Sequence, residues 1–288
     1  MRYSYYPGCS LEGTAREYDV STRAFLGALG VDLVDLPDWT CCGATAAPAV
    51  SRLLTLALPA RNLALAEAAG EDLDILVPCS ACYLNLKRAE EGVREGGETR
   101  REINEVLAEV GLTCRGTVRV RHLLDVLSRD LGGDLLKSRI RRSLSGLRIA
   151  PYYGCQCLRP YAEFDDPEDP RTMEPLIRAT GAEVFPWNAG AHCCGASHMT
   201  TKPGIGIELV AGILEAAAGA DAIVTVCPMC QMNLEAYQEK ASKIRGRDLK
   251  ATVLYLPQFL GLALGLSKED VRLDLNLAVG EAFKVKAA

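Results

Sequence analysis

The chain has 288 residues, enough for one large domain or two of ordinary size. With 49% hydrophobic and 24% charged residues it has the balance of a globular protein, and a net charge of −5 gives no support to nucleic-acid binding or attraction to an anionic membrane. Its most apolar stretch, residues 253–266, contains Pro257 and is too short to span a bilayer.

A short aromatic strand is expected over residues 2–6, and it runs straight into Cys9. No secretory signal is expected ahead of it, so a cytoplasmic location is expected. A helix follows over 16–29, closed by Gly30 at a position suited to a left-handed cap. A second strand at 31–36 leads into a loop with Trp39 and Cys41-Cys42-Gly43. Then come a long helix over 50–69 and a buried strand at 74–77 that ends in Cys79-x-x-Cys82. A helix over 83–94, a strand at 117–121 and a helix over 123–131 complete this half. Residues 132–146, rich in Gly, Ser and Arg, read as the joint, and Arg139, Arg141 and Arg142 there read as a solvated basic run.

The pattern then repeats. A strand from residue 149 reaches Cys155, a helix is expected over 172–180, and a strand at 182–185 precedes Trp187 and Cys193-Cys194-Gly195. A helix over 207–218, a strand at 222–226, Cys227-x-x-Cys230 and a helix over 231–243 follow, then a strand at 252–256 and a helix over 258–264. Residues from 267 onward have no counterpart in the first half. Strands alternating with helices predict an α/β fold of two similar pseudo-repeated domains, 1–140 and 141–288, each a mostly parallel sheet flanked by helices.

Ten of the twelve cysteines fall into this repeat. Their intervening gaps are 31 and 36 residues in the first half and 37 and 32 in the second. A Cys-x-x-Cys at a strand-to-helix turn sets both thiols on one side, among free backbone N–H groups that favour thiolate. Zinc sites, redox dithiols and iron–sulfur sites all use such a pair. Adjacent cysteines on extended backbone point opposite ways, so they reach different metals of a polynuclear centre more easily than one ion. Gly43 and Gly195 allow positive φ or close passage of backbone. Five thiolates per half exceed the four of a mononuclear zinc site and favour iron–sulfur, with zinc in one half as the alternative. Cys114 and Cys157 lie outside the repeat and read as free, partly buried thiols, Cys157 being near enough to Cys155 to be an alternative ligand.

The doubled pattern resembles the cysteine-rich CCG domain family, and over nearly the whole chain it is similar to the B subunit of heterodisulfide reductase and its bacterial relatives. Tyr6-Pro7-Gly8-Cys9, Trp39-Thr40-Cys41-Cys42-Gly43 and the run from Leu256 to Gly265 carry the likeness beyond the repeated cysteines. The resemblance implies two noncubane 4Fe–4S clusters, one on Cys9, Cys41, Cys42, Cys79 and Cys82, the other on Cys155, Cys193, Cys194, Cys227 and Cys230. It implies an oxidoreductase subunit that reduces a disulfide, the coenzyme M–coenzyme B heterodisulfide in methanogens and an unknown disulfide or related acceptor in bacteria; two clusters facing one cleft suggest two one-electron steps. It also implies, as partners, the iron–sulfur C subunit and the flavoprotein A subunit of such a complex. The competing readings are an electron-transfer subunit serving a flavoprotein or quinone partner, and a zinc-dependent scaffold.

His192 and His198 flank the second Cys-Cys-Gly and are weak candidates for a proton donor, a hydrogen bond to cluster sulfide or loop backbone being the preferred reading. His122 reads as structural, and Trp39 and Trp187 as shields for the cysteine sites. Lys87, Arg88 and Lys202 could meet an anionic substrate, with a solvated surface as the default for each.

Overall fold

The computed structural model describes residues 1–287. Its eight strands form two four-stranded sheets of the same design. The first joins β1 (Arg2–Tyr5), β2 (Asp32–Asp35), β3 (Ile75–Val77) and β4 (Val120–His122) in the order β2-β1-β3-β4. The second joins β5 (Arg148–Tyr152), β6 (Glu183–Val184), β7 (Ala222–Thr225) and β8 (Val253–Tyr255) in the order β6-β5-β7-β8. All pairings are parallel. The expected α/β fold of two pseudo-repeats is therefore present.

The inner strands need apolar residues on both faces because helices cover both. Ile75, Leu76 and Val77 in β3, and Ala222, Ile223 and Val224 in β7, are almost wholly buried. The strand order has a direct consequence for the site. The chain leaves β1 in one direction to form β2, then returns to β1's other side to form β3. The crevice beyond the carboxyl ends of β1 and β3 is thus a topological switch point, where open α/β sheets place ligands. Cys9 follows β1 and Cys79 follows β3, while Cys155 follows β5 and Cys227 follows β7.

Some elements depart from expectation. Helix Gly97–Ala108 is an addition to the expected elements; it buries Ile103 and Leu107, and Gly96 and Gly97, both at positive φ, turn the chain into it. Residues expected to form a loose joint include helix Gly132–Arg139, which buries Leu136 and packs on helix Met173–Ala179. The segment expected as one helix over 231–243 is two, Pro228–Ala236 and Gln238–Arg245, broken at Tyr237. The helix expected over 123–131 is one short α-turn followed by a π-helical turn, Val126–Leu131.

The halves exchange contacts. Helix Arg16–Ala28 of the first half lies against helix Leu256–Leu264 of the second, with Tyr18 stacked on Tyr255 at 4.0 Å between ring centroids. One apolar core runs through both, from Phe25 and Leu26 to Phe259 and Leu260. The segment after residue 266 folds back over this joint. Helix Lys268–Val271, capped by Ser267, packs on Arg16–Ala28. Ala278 then accepts the Val253 N–H at 3.1 Å along the free edge of β8.

Candidate metal centres

Each half gathers its five repeat cysteines at the switch point, and the pairwise contacts repeat. In the first half the sulfurs of Cys9 and Cys41 are 4.0 Å apart and those of Cys42 and Cys82 are 3.4 Å apart. Cys82 also contacts Cys79. The equivalent contacts join Cys155 to Cys193, Cys194 to Cys230, and Cys227 to Cys230. The sulfurs pair off along each crevice. Among the described residues, no three His, Cys, Asp or Glu side chains close on one point as ligands of a single ion.

The backbone around these sulfurs is equally repetitive. Gly43 and Gly195 sit at φ +73° and +75°, the left-handed conformation that glycine adopts without strain. Their N–H groups donate to the sulfurs of Cys41 and Cys193 at 3.5 and 3.3 Å. Gly8 and Gly154 are also left-handed, and a Cβ at either would lie 2.8 Å from the Cys82 sulfur or 3.0 Å from the Cys230 sulfur. Each cradle is thus shaped around a sulfur and has no room for a methyl group. The Tyr6 hydroxyl donates to the Thr40 carbonyl and the Tyr152 hydroxyl to that of His192, both at 2.8 Å. These bonds pin the loop before each Cys-Cys pair to the first strand of its sheet. Asn85 donates to the Cys42 sulfur at 3.8 Å, and its counterpart Asn233 to the Cys194 carbonyl at 3.0 Å. The bonding roles of Tyr6, Tyr152, Asn85 and Asn233 escaped sequence reasoning, although each holds an equivalent place in the two halves.

Electrostatics make these thiol sets unstable as bare thiolates. Hydrogen bonds from Cys41 and Cys82 pull the Cys42 thiol down, while the bond to Cys42 pushes both Cys41 and Cys82 up. In the second half the hydrogen bond between Cys155 and Cys193 lowers Cys193 and raises Cys155. Sulfurs this close share protons, because their negative charges repel in a crevice of low polarity. Cations placed among them would let all ionise together. An all-sulfur donor set, with glycine cradles against two of the sulfurs, fits a polynuclear iron–sulfur centre.

The sets differ in exposure. Cys9, Cys41 and Cys193 are exposed, Cys155 is half-buried, and Cys42, Cys79, Cys82, Cys194, Cys227 and Cys230 are buried. Each centre would therefore have a protected floor and an open rim. The second set lines a narrow cavity of about 60 Å³ with Tyr153, Met229 and Ser80. Beside Cys193 lies an open groove of about 560 Å³, lined by His192, Arg159 and Leu209. His192 is exposed and His198 half-buried. Trp39 stands edge-on to Tyr6 at 5.4 Å, and Trp187 is 6.1 Å from Tyr152, so each tryptophan covers the tyrosine that pins its loop.

The other candidates take structural or surface places. Cys114 is buried and held by Asn104, and burial pushes its thiol up to about 12. Cys157 is buried beside the second set, its thiol donating to the Tyr153 carbonyl at 3.2 Å and also pushed up to about 12 by burial. Lys87 is not a solvated side chain. It is buried among Glu90, Glu91 and Glu163 at 3.1, 3.2 and 3.4 Å, a cross-half ion cluster that leaves it no free charge for a substrate. Arg88 donates to Asn85 at 3.4 Å, and Lys202 is exposed. His122 is buried and structural. Its Nδ1 accepts the Leu124 N–H, and burial holds its pKa down to about 3.

Comparison with known proteins agrees with the internal repeat. Residues 3–87 and 149–235 each match the model of the CCG cysteine-rich domain. The chain is 37% identical over 279 residues to the 8-methylmenaquinol:fumarate reductase membrane anchor subunit of Wolinella succinogenes, covering 96% of each chain. It is 32% identical to a protein of Archaeoglobus profundus described as like the B subunit of heterodisulfide reductase, covering 94% of this chain and 93% of that one. It is 30% identical to the B subunit of the ferredoxin:CoB-CoM heterodisulfide reductase of Methanosarcina mazei, covering 99% and 96%. In structure it resembles a hypothetical protein from Helicobacter pylori with a TM-score of 0.77 at 19% identity. That match covers 97% of this chain but 52% of the other, so the chain spans about half the length of that solved structure. Among the described residues no helix is long and apolar enough to cross a membrane.

Proposed function

The chain belongs to the cysteine-rich CCG domain family, whose domain it carries twice, and from that premise we propose that it is the iron–sulfur subunit of a multi-subunit reductase. Cys9, Cys41, Cys42, Cys79 and Cys82 hold one centre, and Cys155, Cys193, Cys194, Cys227 and Cys230 the other. Residues 1–140 and 141–288 are the two units. The centres are noncubane 4Fe–4S clusters, in line with the five-cysteine sets. When bound, such a centre supplies one-electron transfer and an iron site open to a sulfur ligand.

One observation carries this reading: the Cys-x-x-Cys turns of the two thiol sets converge on one side chain. The Tyr18 hydroxyl lies 3.0 Å from the Pro78 carbonyl and 3.2 Å from that of Val226, the residues just before Cys79 and Cys227. The two Cys-x-x-Cys turns therefore meet at one side chain. Two one-electron centres so placed suit a two-electron reduction, and a disulfide needs two electrons to leave as two thiolates. The chain's own part is to seat the buried sulfurs, to keep Cys9, Cys41 and Cys193 at an open rim, and to offer the groove beside Cys193 to the substrate. A further iron–sulfur protein and a flavoprotein, as partners in the complex, are the expected sources of electrons. A cytoplasmic location, where thiols stay reduced, belongs to the same proposal.

A second reading is favoured by the Wolinella relative, whose name joins a quinol to fumarate. In it the two centres pass electrons between a quinol and a flavoprotein, and no disulfide enters. An anaerobic assay separates the two. Prereduced protein with its copurifying partners is offered a panel of thiol disulfides, then a quinone. Turnover of a disulfide supports the first reading, and electron exchange with the quinone alone supports the second. Zinc in place of iron in the purified protein would remove both.

A further inference from the structure

Ser80 belongs to the first half's Cys79-x-x-Cys82, yet its side chain lines the cavity of the second half's sulfurs. Its hydroxyl donates to the Val226 carbonyl at 3.2 Å, and it faces the Cys227 and Cys157 sulfurs beside that cavity. On its other side stands His122, with Nε2 at 3.2 Å. The tautomer of His122 follows from its partners. A backbone N–H can only donate, so the Leu124 N–H at 3.1 Å requires a lone pair on Nδ1. Burial keeps the ring neutral, and its one proton therefore sits on Nε2 and is donated to Ser80. The ring is itself fixed, stacked on Phe164 and edge-on to Tyr83.

Ser80 is left with one proton to give and three acceptors. A thiolate accepts more strongly than a neutral carbonyl or a protonated thiol. Cys227 is the thiolate once the second centre is loaded, whereas the Cys157 thiol holds its own proton in a bond to the Tyr153 carbonyl at 3.2 Å. A hydroxyl on the first half's turn is therefore placed to donate into the second half's centre. Nothing returns it, because the position equivalent to Ser80 is Pro228, which has neither a hydroxyl nor an N–H to donate.

We infer that Ser80, oriented by His122, is a positioning residue that donates a hydrogen bond across the joint to the Cys227 sulfur and sets the second centre at a higher potential than it would otherwise have. A hydrogen bond to a ligand sulfur stabilises the more negative, reduced state, so it raises the potential. The repeat thus contains a built-in inequality: the second centre is favoured as the resting place of the electron. The inference rests on the proposed iron–sulfur loading.

Redox titration of the full chain, prepared anaerobically and followed by EPR, tests it. Cys42→Ala and Cys194→Ala, which each remove one centre, assign the two signals. In Ser80→Ala the second-half signal should move to lower potential while the first-half signal stays in place, and Ser80→Thr, which keeps the hydroxyl, should restore it. His122→Phe should move the same signal in the same direction by less, and it provides the reading should Ser80→Ala load poorly. Equal movement of both signals, or no movement in a fully loaded variant, overturns the inference. Wild-type protein without iron and sulfide would instead remove the reading beneath it, and iron and sulfide analysis tells these failures apart.

Discussion

Gly8 and Gly154 show how closely single residues are held to the sulfur sets. Both are left-handed, and both would drive a Cβ against a sulfur. Alanine there combines backbone strain of about 1–2 kcal/mol with displacement of Cys82 or Cys230. Gly154→Ala should therefore lose most of the second centre's iron while leaving the first intact, as metal analysis per chain would show. Undiminished iron would mean the cradle is not needed. The cysteines themselves were legible in the sequence, because spacing and repetition are one-dimensional properties. The tyrosine pins at Tyr6 and Tyr152 were not, since each reaches across 34 or 40 residues to a loop carbonyl. Lys87 was misread because its helix position looks solvated until Glu163 arrives from the other half.

Glu235 gives the residue scale a pH dependence. Burial pushes its carboxyl up to about 7, although it accepts the Ala278 N–H at 3.1 Å. Its folded value lies above the ordinary carboxylate value of 4.5, so between about 4.5 and 7 the folded chain binds the extra proton. Stability must then fall as pH rises through that window, by up to about 1.4 kcal/mol per unit, and level off above it. Denaturant titrations should show that decline in the wild type and a flatter profile in Glu235→Gln. A wild-type profile rising from pH 5 to 7 by a contribution that Glu235→Gln abolishes would reverse the assignment.

At the scale of elements, strands and their order of appearance were readable, because buried parallel strands are short runs of β-branched and aliphatic residues such as Ile75–Val77. Helix Gly97–Ala108 was not: it starts at Gly96 and Gly97, whose positive φ turns the chain into it. The division at Tyr237 was not readable either, since no Gly or Pro marks it in the sequence. The pairing of helix Arg16–Ala28 with Leu256–Leu264 could not be read at all, since it joins residues more than 200 positions apart, as Tyr18 does with Val226. That pairing is testable at Tyr18. Tyr18→Phe keeps the ring stacked on Tyr255 but leaves buried carbonyls at Pro78 and Val226 without its hydroxyl. We expect a loss of about 1–3 kcal/mol in chemical denaturation. An unchanged midpoint would show that the joint does not depend on it.

For the whole molecule, duplication explains the architecture and its departures from symmetry give it direction. Two equal sheets present equal sulfur sets at their switch points. Shared helices and the segment after residue 266 then lock the halves into one core, so the sites cannot drift apart. Pro228 opposite Ser80, and His192 opposite Thr40, break the equality where it touches the sulfurs. The central claim is that the ten repeat cysteines hold two separate iron–sulfur centres. Iron, sulfide and EPR measured on anaerobic wild type, Cys42→Ala and Cys194→Ala test it most directly. The account predicts two signals in the wild type, with each variant losing one signal and about half of the iron. A single signal that both variants abolish, or iron unchanged in either, would contradict it.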